Sequence, residues 1–157
     1  MSTAVSTRSK LDAWVAFLRA HSAITRQLNA DLLTEHELTL NDYEVLLLLN
    51  RSEQGMMRRV DLAEQVVLTA SGITRLLDGL ERTGLVEKAA SSSDARVSYA
   101  KLTGAGREKL RAAASTHLAG VDDLFLSRFE ELELEALAEL LQRLPLSGKD
   151  CSERSCD

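Results

Sequence analysis

The 157-residue chain is poor in the residues that cross-link a fold or interrupt helices. Its two cysteines, Cys151 and Cys156, both lie in the last seven residues, so a disulfide bond between them cannot cross-link a core. The single proline, Pro145, leaves the preceding chain free to run as helix. No apolar run approaches the roughly 18 residues of a membrane span, and the polar start MSTAVSTRSK has no apolar signal core. We therefore expect a cytoplasmic protein with no membrane partner.

Side-chain sets for catalysis or metal binding are also missing from the sequence. There is no glycine-rich phosphate loop, no nucleophile elbow and no pair of catalytic carboxylates. The three histidines, His21, His36 and His117, have no metal-ligand spacing among themselves or with the cysteines. We therefore expect no metal, no cofactor and no enzyme activity. The tail cysteines lack a fixed electropositive surrounding, so we expect them to be dispensable rather than redox sensors.

Charge is distributed unevenly along the chain, whose formal net charge is −5. Residues 58–111 hold ten basic and seven acidic residues, whereas residues 112–157 hold four basic and ten acidic ones. A basic central segment followed by acidic helices is typical of a DNA-binding protein, because acidic helices that lie away from the DNA avoid repulsion by the phosphates. A chance distribution explains the same numbers equally well, so charge alone does not decide for DNA.

The first part of the chain has the pattern of two helices after a short polar start. Residues 1–9 are small and polar, and we expect them to be disordered. An apolar stripe from Leu11 onward predicts a first helix over about residues 10–34. Asn41 or Asp42 is expected to cap the second helix.

The centre of the chain, about residues 55–103, changes from a helical to an alternating pattern. A short helix and a three-residue turn lead to another helix, which Thr69 caps and Gly84 ends. Two short strands over about residues 85–88 and 97–102 then flank a polar loop. A helix pair followed by a hairpin is a winged helix-turn-helix. The predicted fold class is therefore mainly α with a small β-hairpin, flanked by helices at both ends.

The second helix of this pair has one apolar face and one polar face. The apolar residues are Ile73, Leu76, Leu77 and Leu80. The candidate DNA contacts at its start and on its polar face are Thr69, Ser71, Gly72, Thr74 and Arg75. Such a helix fits the major groove, where short hydroxyl residues make close contacts and Arg75 suits a guanine or a phosphate. A solvated helix face with an N-cap explains the same residues without DNA.

The most distinctive residues of this region form a set of short motifs: Asp61-Leu62-Ala63, Ile73-Thr74-Arg75-Leu76-Leu77-Asp78, Leu80-Glu81 and Gly84-Leu85-Val86. The most specific element is Asp94-Ala95-Arg96, followed by Leu102-Thr103 and Gly106. Together these motifs resemble the MarR family of bacterial transcription regulators, and the last element is similar to that family's wing signature. The motifs cover about residues 58–107, and the helix layout fits the family over about residues 10–144.

The resemblance implies a single domain over residues 10–144 that forms a homodimer through helices over about 10–34 and 104–144, with a polar tail at 145–157. It implies that Arg96 reaches DNA and that Asp94 orients this arginine, although a local ion pair explains both residues as well. Ala95 departs from the family, which often has a second basic residue at that position. The wing tip therefore carries less charge.

The resemblance also implies an effector pocket between the dimer helices and the DNA-binding lobe, suited to an aromatic acid or a phenol. The candidate lining residues are Trp14, Phe17, His21 and Arg26. Packing within a core accounts for the two aromatic residues of this set equally well.

These patterns together predict a sequence-specific regulator that binds double-stranded DNA. One recognition helix reads few base pairs, so we expect a homodimer on a palindromic operator. The resemblance favours a repressor that a small ligand releases, and an activator without a ligand fits the same sequence. The alternative is a winged-helix protein-interaction module that does not bind DNA.

Overall fold

The structure, a computed structural model, describes residues 7–66, 68–90 and 97–144 of the chain. The elements in these residues are, in chain order, α1 (Thr7–His36), α2 (Leu40–Arg51), β1 (Met56–Arg58), α3 (Arg59–Gln65), α4 (Ala70–Arg82), β2 (Val86–Ala90), β3 (Ser98–Leu102), α5 (Gly104–Leu124) and α6 (Glu131–Leu141). Single 3₁₀ turns precede β1 and follow α5. The expected mainly helical fold with a hairpin is confirmed. Among the described residues, no helix combines the length and apolar character that a bilayer crossing needs.

The first helix begins earlier than its sequence pattern suggests. α1 starts at Thr7, about three residues before the start that the apolar stripe predicts, whereas the expected disorder of the N-terminus stays a prediction. No glycine or proline separates Thr7 from Leu11, and nothing therefore stops the helix from extending. Residues 1–6 and the tail 145–157, which includes both cysteines, lie outside the described residues.

The start of α2 is closed by a reciprocal capping box. The Thr39 hydroxyl oxygen accepts a hydrogen bond from the Asp42 backbone N–H at 3.1 Å. The Asp42 carboxylate in turn accepts from the Thr39 backbone N–H at 2.9 Å. The expected cap at Asn41 or Asp42 is therefore wrong, because Asp42 acts as the partner of the cap and not as the cap itself.

The apolar core lies mainly in the central lobe, which we define as residues 38–103. Side chains from α2, α3, α4 and the sheet meet there, and the far end of α1 joins them together with the start of α5. The largest fully buried side chains are Leu32, Val45, Leu46, Leu49, Leu62 and Leu77. This core fixes the angle of α4 to the other helices, because α4 buries one side along its length.

The sheet contains one more strand than the predicted hairpin. Its order is β1-β3-β2 with both pairs antiparallel, so that Val86 lies opposite Leu102 and Met57 lies opposite Ala100. The missed strand, β1, has only three residues, which is too short for an alternating pattern to show. It forms because β3 offers the backbone groups of its second edge to β1.

Residues of the wing signature fix the hairpin to the end of α4. Gly84, at a φ of 73°, ends the helix, and the Leu85 N–H donates to the Leu80 carbonyl at 2.9 Å. The Thr103 hydroxyl accepts from the Gly106 N–H at 3.0 Å and donates to the Gly84 carbonyl at 2.7 Å. A Cβ at Gly106 would overlap the carbonyl oxygen of Leu85. Only glycine therefore lets α5 begin this close to the hairpin.

Candidate nucleic-acid interface

α4 presents a polar surface because its other side is anchored in the core. The buried residues are Ile73, Leu77 and Leu80. The exposed residues on the opposite side are Ser71, Thr74, Arg75 and Asp78. The predicted division into two faces is confirmed, and the contact of the polar face with DNA stays a prediction.

The first turn of α4 is ordered by its own hydroxyl groups. Thr69 caps the helix as expected, since its Oγ1 accepts from the Gly72 N–H at 3.1 Å. The Ser71 Oγ lies 3.2 Å from Thr69 Oγ1. The Thr74 hydroxyl donates to the Ala70 carbonyl oxygen at 2.8 Å. The helix start that would enter a groove is thus held by hydrogen bonds within the chain.

Arg75 is the long hydrogen-bond donor on this exposed face. Within the described ranges the structure records no hydrogen bond and no ion pair for Arg75. The nearby carboxylate of Asp78 points instead toward Arg59, with 3.5 Å between Asp78 Oδ1 and Arg59 Nη2. A guanidinium with five donors and no internal partner suits the O6 and N7 atoms of guanine or a phosphate.

Behind α4 lies an ion cluster that the sequence pattern did not indicate. We call it the Arg59 cluster; its members are Arg59 of α3, Asp78 and Glu81 of α4, and Lys88 of β2. Arg59 Nη2 stands 3.7 Å from Glu81 Oε1, and Lys88 Nζ stands 3.2 Å from Glu81 Oε2. The side chains of Arg59 and Glu81 are 20% and 18% exposed. The cluster therefore joins both helices of the pair to the wing strand, with its Arg59–Glu81 centre largely shielded from water and its Asp78 and Lys88 ends exposed.

The Arg59 cluster is close in distance but incomplete in hydrogen bonding. The Nε and Nη2 atoms of Arg59 and the Oε1 atom of Glu81 are buried and have no hydrogen-bond partner among the described residues. Sequence reasoning missed Arg59 because its partners Asp78 and Glu81 lie 19 and 22 positions further along the chain, where no helical spacing connects them to α3. The adjacent Arg58, also missed, makes a two-pronged bond to Asp61 at 2.7 and 2.8 Å.

The hairpin arms are held together by pairs across the strands. Glu87 and Lys101 lie directly opposite each other, and Lys101 Nζ is 2.9 Å from Glu87 Oε1. Asp94 and Arg96, the predicted wing contacts, belong to residues 91–96, which lie outside the described residues. Their contact with DNA stays a prediction.

Three of the four predicted effector residues form a row on α1. The rings of Trp14 and Phe17 stack with centroids 6.2 Å apart, and those of Phe17 and His21 with centroids 6.4 Å apart. Arg26 is five residues beyond His21, so it points about 140° away from the row. All four side chains are exposed. The row is thus a surface feature of the single chain and not the wall of a pocket within it.

A groove of about 400 Å³ runs between α2 and α5. The lining residues from α2 are Tyr43, Leu47 and Asn50, and those from α5 include Arg107, Leu110 and Arg111. One guanidinium is already engaged, since Arg107 Nη1 donates to Asn50 Oδ1 at 3.3 Å. The groove thus offers an apolar floor with two cations at its wall, which suits an apolar anion.

Beside this groove, Tyr43 stacks on His117 with a centroid distance of 4.4 Å. Burial raises the pKa of the Tyr43 hydroxyl, with Arg51 opposing that shift, and burial lowers the pKa of His117. The His117 Nδ1 atom is buried without a hydrogen-bond partner among the described residues. Both rings are therefore held neutral near pH 7. In the same described ranges, no group of three or more His, Cys, Asp or Glu side chains is arranged to hold a metal ion.

A helix pair with an exposed polar second helix, followed by a hairpin on the same core, defines a winged-helix regulator. The profile of the MarR family matches residues 38–98. The structure of AbsC, a MarR family regulator from Streptomyces coelicolor, is similar with a TM-score of 0.81 and 31% identity over 90% of this chain and 95% of that chain. A second such regulator from the same organism, solved in complex with DNA, has a TM-score of 0.81 and 25% identity over 88% of this chain and 89% of that chain.

Sequence comparison gives the same family. The chain is 28% identical over 144 residues to the HTH-type transcriptional regulator MhqR of Bacillus subtilis, a match that covers 91% of this chain and 96% of that protein. The chain belongs to the MarR family, as its motifs predicted. It is therefore a DNA-binding transcription regulator and not an enzyme.

Proposed function

We propose that this regulator is a cytoplasmic homodimeric repressor that binds a palindromic operator and is released by a small aromatic effector. In this proposal α4 enters the major groove, and the wing with Asp94 and Arg96 contacts the DNA beside it. The observation that carries the proposal is the polar face of α4. Its donor, Arg75, has no internal partner among the described residues, and its position is fixed by a buried opposite face.

The need for a second copy follows from the apolar residues at the chain ends. α6, which is described in full, has no buried residue, although Leu132 and Leu140 are apolar and are 78% and 52% exposed. The large exposed apolar side chains of α1 are Leu11, Trp14, Val15, Phe17, Leu18 and Leu33. Exposed apolar side chains grouped in this way are typical of an interaction surface. A two-fold dimer covers it and also spaces two copies of α4 for two half-sites.

For the effector we favour the groove between α2 and α5 over the row on α1. The groove lies between the central lobe and α5, so a ligand there contacts both regions at once. An aromatic ring fits against Leu47 and Leu110, while a carboxylate meets Arg111. Of the four residues proposed from the resemblance, none lines this groove in the single chain.

The operator proposal is tested with the full-length chain and a pool of random duplexes of roughly 30 base pairs, which is long enough for two half-sites one turn apart. Bound duplexes are recovered, sequenced and titrated by fluorescence anisotropy at two salt concentrations. We expect an enriched inverted repeat, two chains per duplex and weaker binding at higher salt. Arg19→Ala removes an exposed arginine of α1 and should bind normally. It is the matched control for the loss of one positive charge in Arg75→Ala.

A pool that shows no enrichment and no salt-dependent binding would favour the alternative, a winged-helix module for protein interaction.

The effector proposal has its own test with benzoate and phenol as probes. We expect benzoate to weaken operator binding by the parent chain but not by Leu47→Trp, which fills the groove. Loss of the benzoate effect in Trp14→Leu but not in Leu47→Trp would place the effector on the α1 row instead.

A further inference from the structure

We propose that Thr74 reads a thymine in each half-site through its methyl group and not through its hydroxyl. This inference rests on the proposed entry of α4 into the major groove and specifies what one residue recognises there. Its starting point is the bond from the Thr74 hydroxyl to the Ala70 carbonyl, which is 2.8 Å long.

A threonine hydroxyl has a single proton, so this bond decides what Thr74 can offer to a base. With the proton on the Ala70 carbonyl, Thr74 cannot donate to N7 or O6 of guanine, to N7 of adenine or to O4 of thymine, and its hydroxyl keeps only the ability to accept, from N6 of adenine or N4 of cytosine. Back-bonding of this kind is common for threonine within helices and indicates no function by itself. Its consequence here is that the hydroxyl is turned toward the helix backbone while the side chain as a whole is exposed. The methyl group is then the part of Thr74 that faces outward.

The major-groove edge of one base presents an apolar partner for such a group. The C5-methyl of thymine is the methyl group that the standard base pairs display there, and contact with a threonine methyl is a known form of readout. A buried methyl contact contributes about a fourfold change in affinity. The Thr74 position therefore selects thymine over cytosine, which lacks the methyl group.

The positions of the neighbouring side chains make this preference separable from that of Arg75. At 100° per residue, Thr74 and Arg75 lie on the two flanks of the exposed face, with Ser71 between them. The guanidinium of Arg75 is free to contact guanine, as described above. Each half-site should thus contain a thymine and a guanine that respond to different substitutions in the protein.

The test uses the duplex recovered from the random pool and removes one methyl group at a time. Each thymine is replaced by deoxyuridine, which lacks only the C5-methyl. For the parent chain we expect one position in each half-site at which this replacement weakens binding about fourfold. Thr74→Val keeps the methyl shape and should keep both the affinity and this sensitivity. Thr74→Ser keeps the hydroxyl and should lose both.

Thr83→Ser is the matched control, because Thr83 lies just beyond the far end of α4 and its hydroxyl also bonds back to the helix, to the Gly79 carbonyl at 3.2 Å. It should bind like the parent. The inference is overturned if no deoxyuridine position matters for the parent chain. It is also overturned if Thr74→Val weakens binding while Thr74→Ser does not, since the hydroxyl would then be the reading group. A recovered duplex that binds tightly without methyl sensitivity leaves the proposed function intact, whereas a pool with no enrichment overturns both.

Discussion

The central lobe and the terminal helices differ in how many of their apolar side chains are buried within the chain. In the described part of the central lobe, most apolar side chains lie in one core, and Val60 is the large apolar residue left exposed. α6 buries none of its residues, and the first half of α1 exposes its apolar stripe. Apolar side chains are thus buried within the chain in the central lobe and left exposed to water on the terminal helices. The core of the central lobe is closed by the chain itself, with help from α1 and α5, whereas the exposed apolar residues of the terminal helices would be covered by the proposed second copy.

The largest effect should come from placing charge on the terminal helices. Leu132→Glu combined with Leu140→Glu should convert the proposed dimer to monomers. Each protomer loses two leucines, so four are lost from the interface. At roughly 1.5 kcal/mol of burial free energy each, the loss is about 6 kcal/mol in total. Sedimentation velocity measures the change, and Glu139→Gln on the same helix is the control. A double variant that stays dimeric would show that α6 is not part of the interface.

A cavity in the central lobe should act differently. Leu77→Ala removes a fully buried side chain from α4 and should lower the free energy of unfolding by about 2–5 kcal/mol. Urea titration at several protein concentrations separates this variant from the α6 variant. The loss from Leu77→Ala should stay constant with concentration, whereas a lost dimer contact shifts stability with concentration. If the two variants behave alike, the distinction between the regions fails.

The Arg59 cluster should have a smaller effect on stability and a visible effect on binding. Glu81→Gln leaves Arg59 and Lys88 without their shared carboxylate, at a cost of about 1–3 kcal/mol. Because Glu81 links α3 and α4 to the wing strand, operator affinity should fall as well. The comparison with Glu87→Gln, which breaks an exposed pair of the same hairpin, isolates this linkage. Equal loss of affinity in both variants would mean that Glu81 has no special part in positioning α4.

The smallest effect should appear as a pH dependence of thermal stability, caused by His117 where α5 packs against α2. Burial lowers the pKa of His117 below its ordinary value of 6.5, so the unfolded chain binds a proton more readily than the folded one. The neutral ring stabilises the fold fully above pH 6.5, and that contribution declines as the pH falls below this value. His117→Phe should remove this part of the acid sensitivity in thermal unfolding curves. An unchanged pH profile in the variant would contradict the assignment to His117.

Local signals predicted the parts of the fold that depend on nearby residues. Thr69 caps α4, Gly84 ends it, and the exposed face of α4 follows from helical spacing. These features need only a few consecutive residues, so one sequence is enough to show them.

The parts that were missed depend on contacts between distant segments. β1 exists because β3 has a free edge, and the Arg59 cluster forms across three elements. The groove between α2 and α5 likewise requires the angle between two helices, which periodicity does not contain. The wing contacts of Asp94 and Arg96 remain predictions of the sequence motif.

The central claim is that α4 reads bases while the wing mainly holds the DNA, and two variants on two duplexes test it most directly. Affinities of Arg75→Ala and Arg96→Ala are measured on the selected operator and on a scrambled duplex over a range of salt. Arg75→Ala should weaken operator binding by about 1–3 kcal/mol and leave the scrambled duplex nearly unchanged. Arg96→Ala should weaken both and flatten the salt dependence by about one unit of slope. If Arg75→Ala lowers both affinities equally, Arg75 binds only phosphate, and α4 does not read the operator through it.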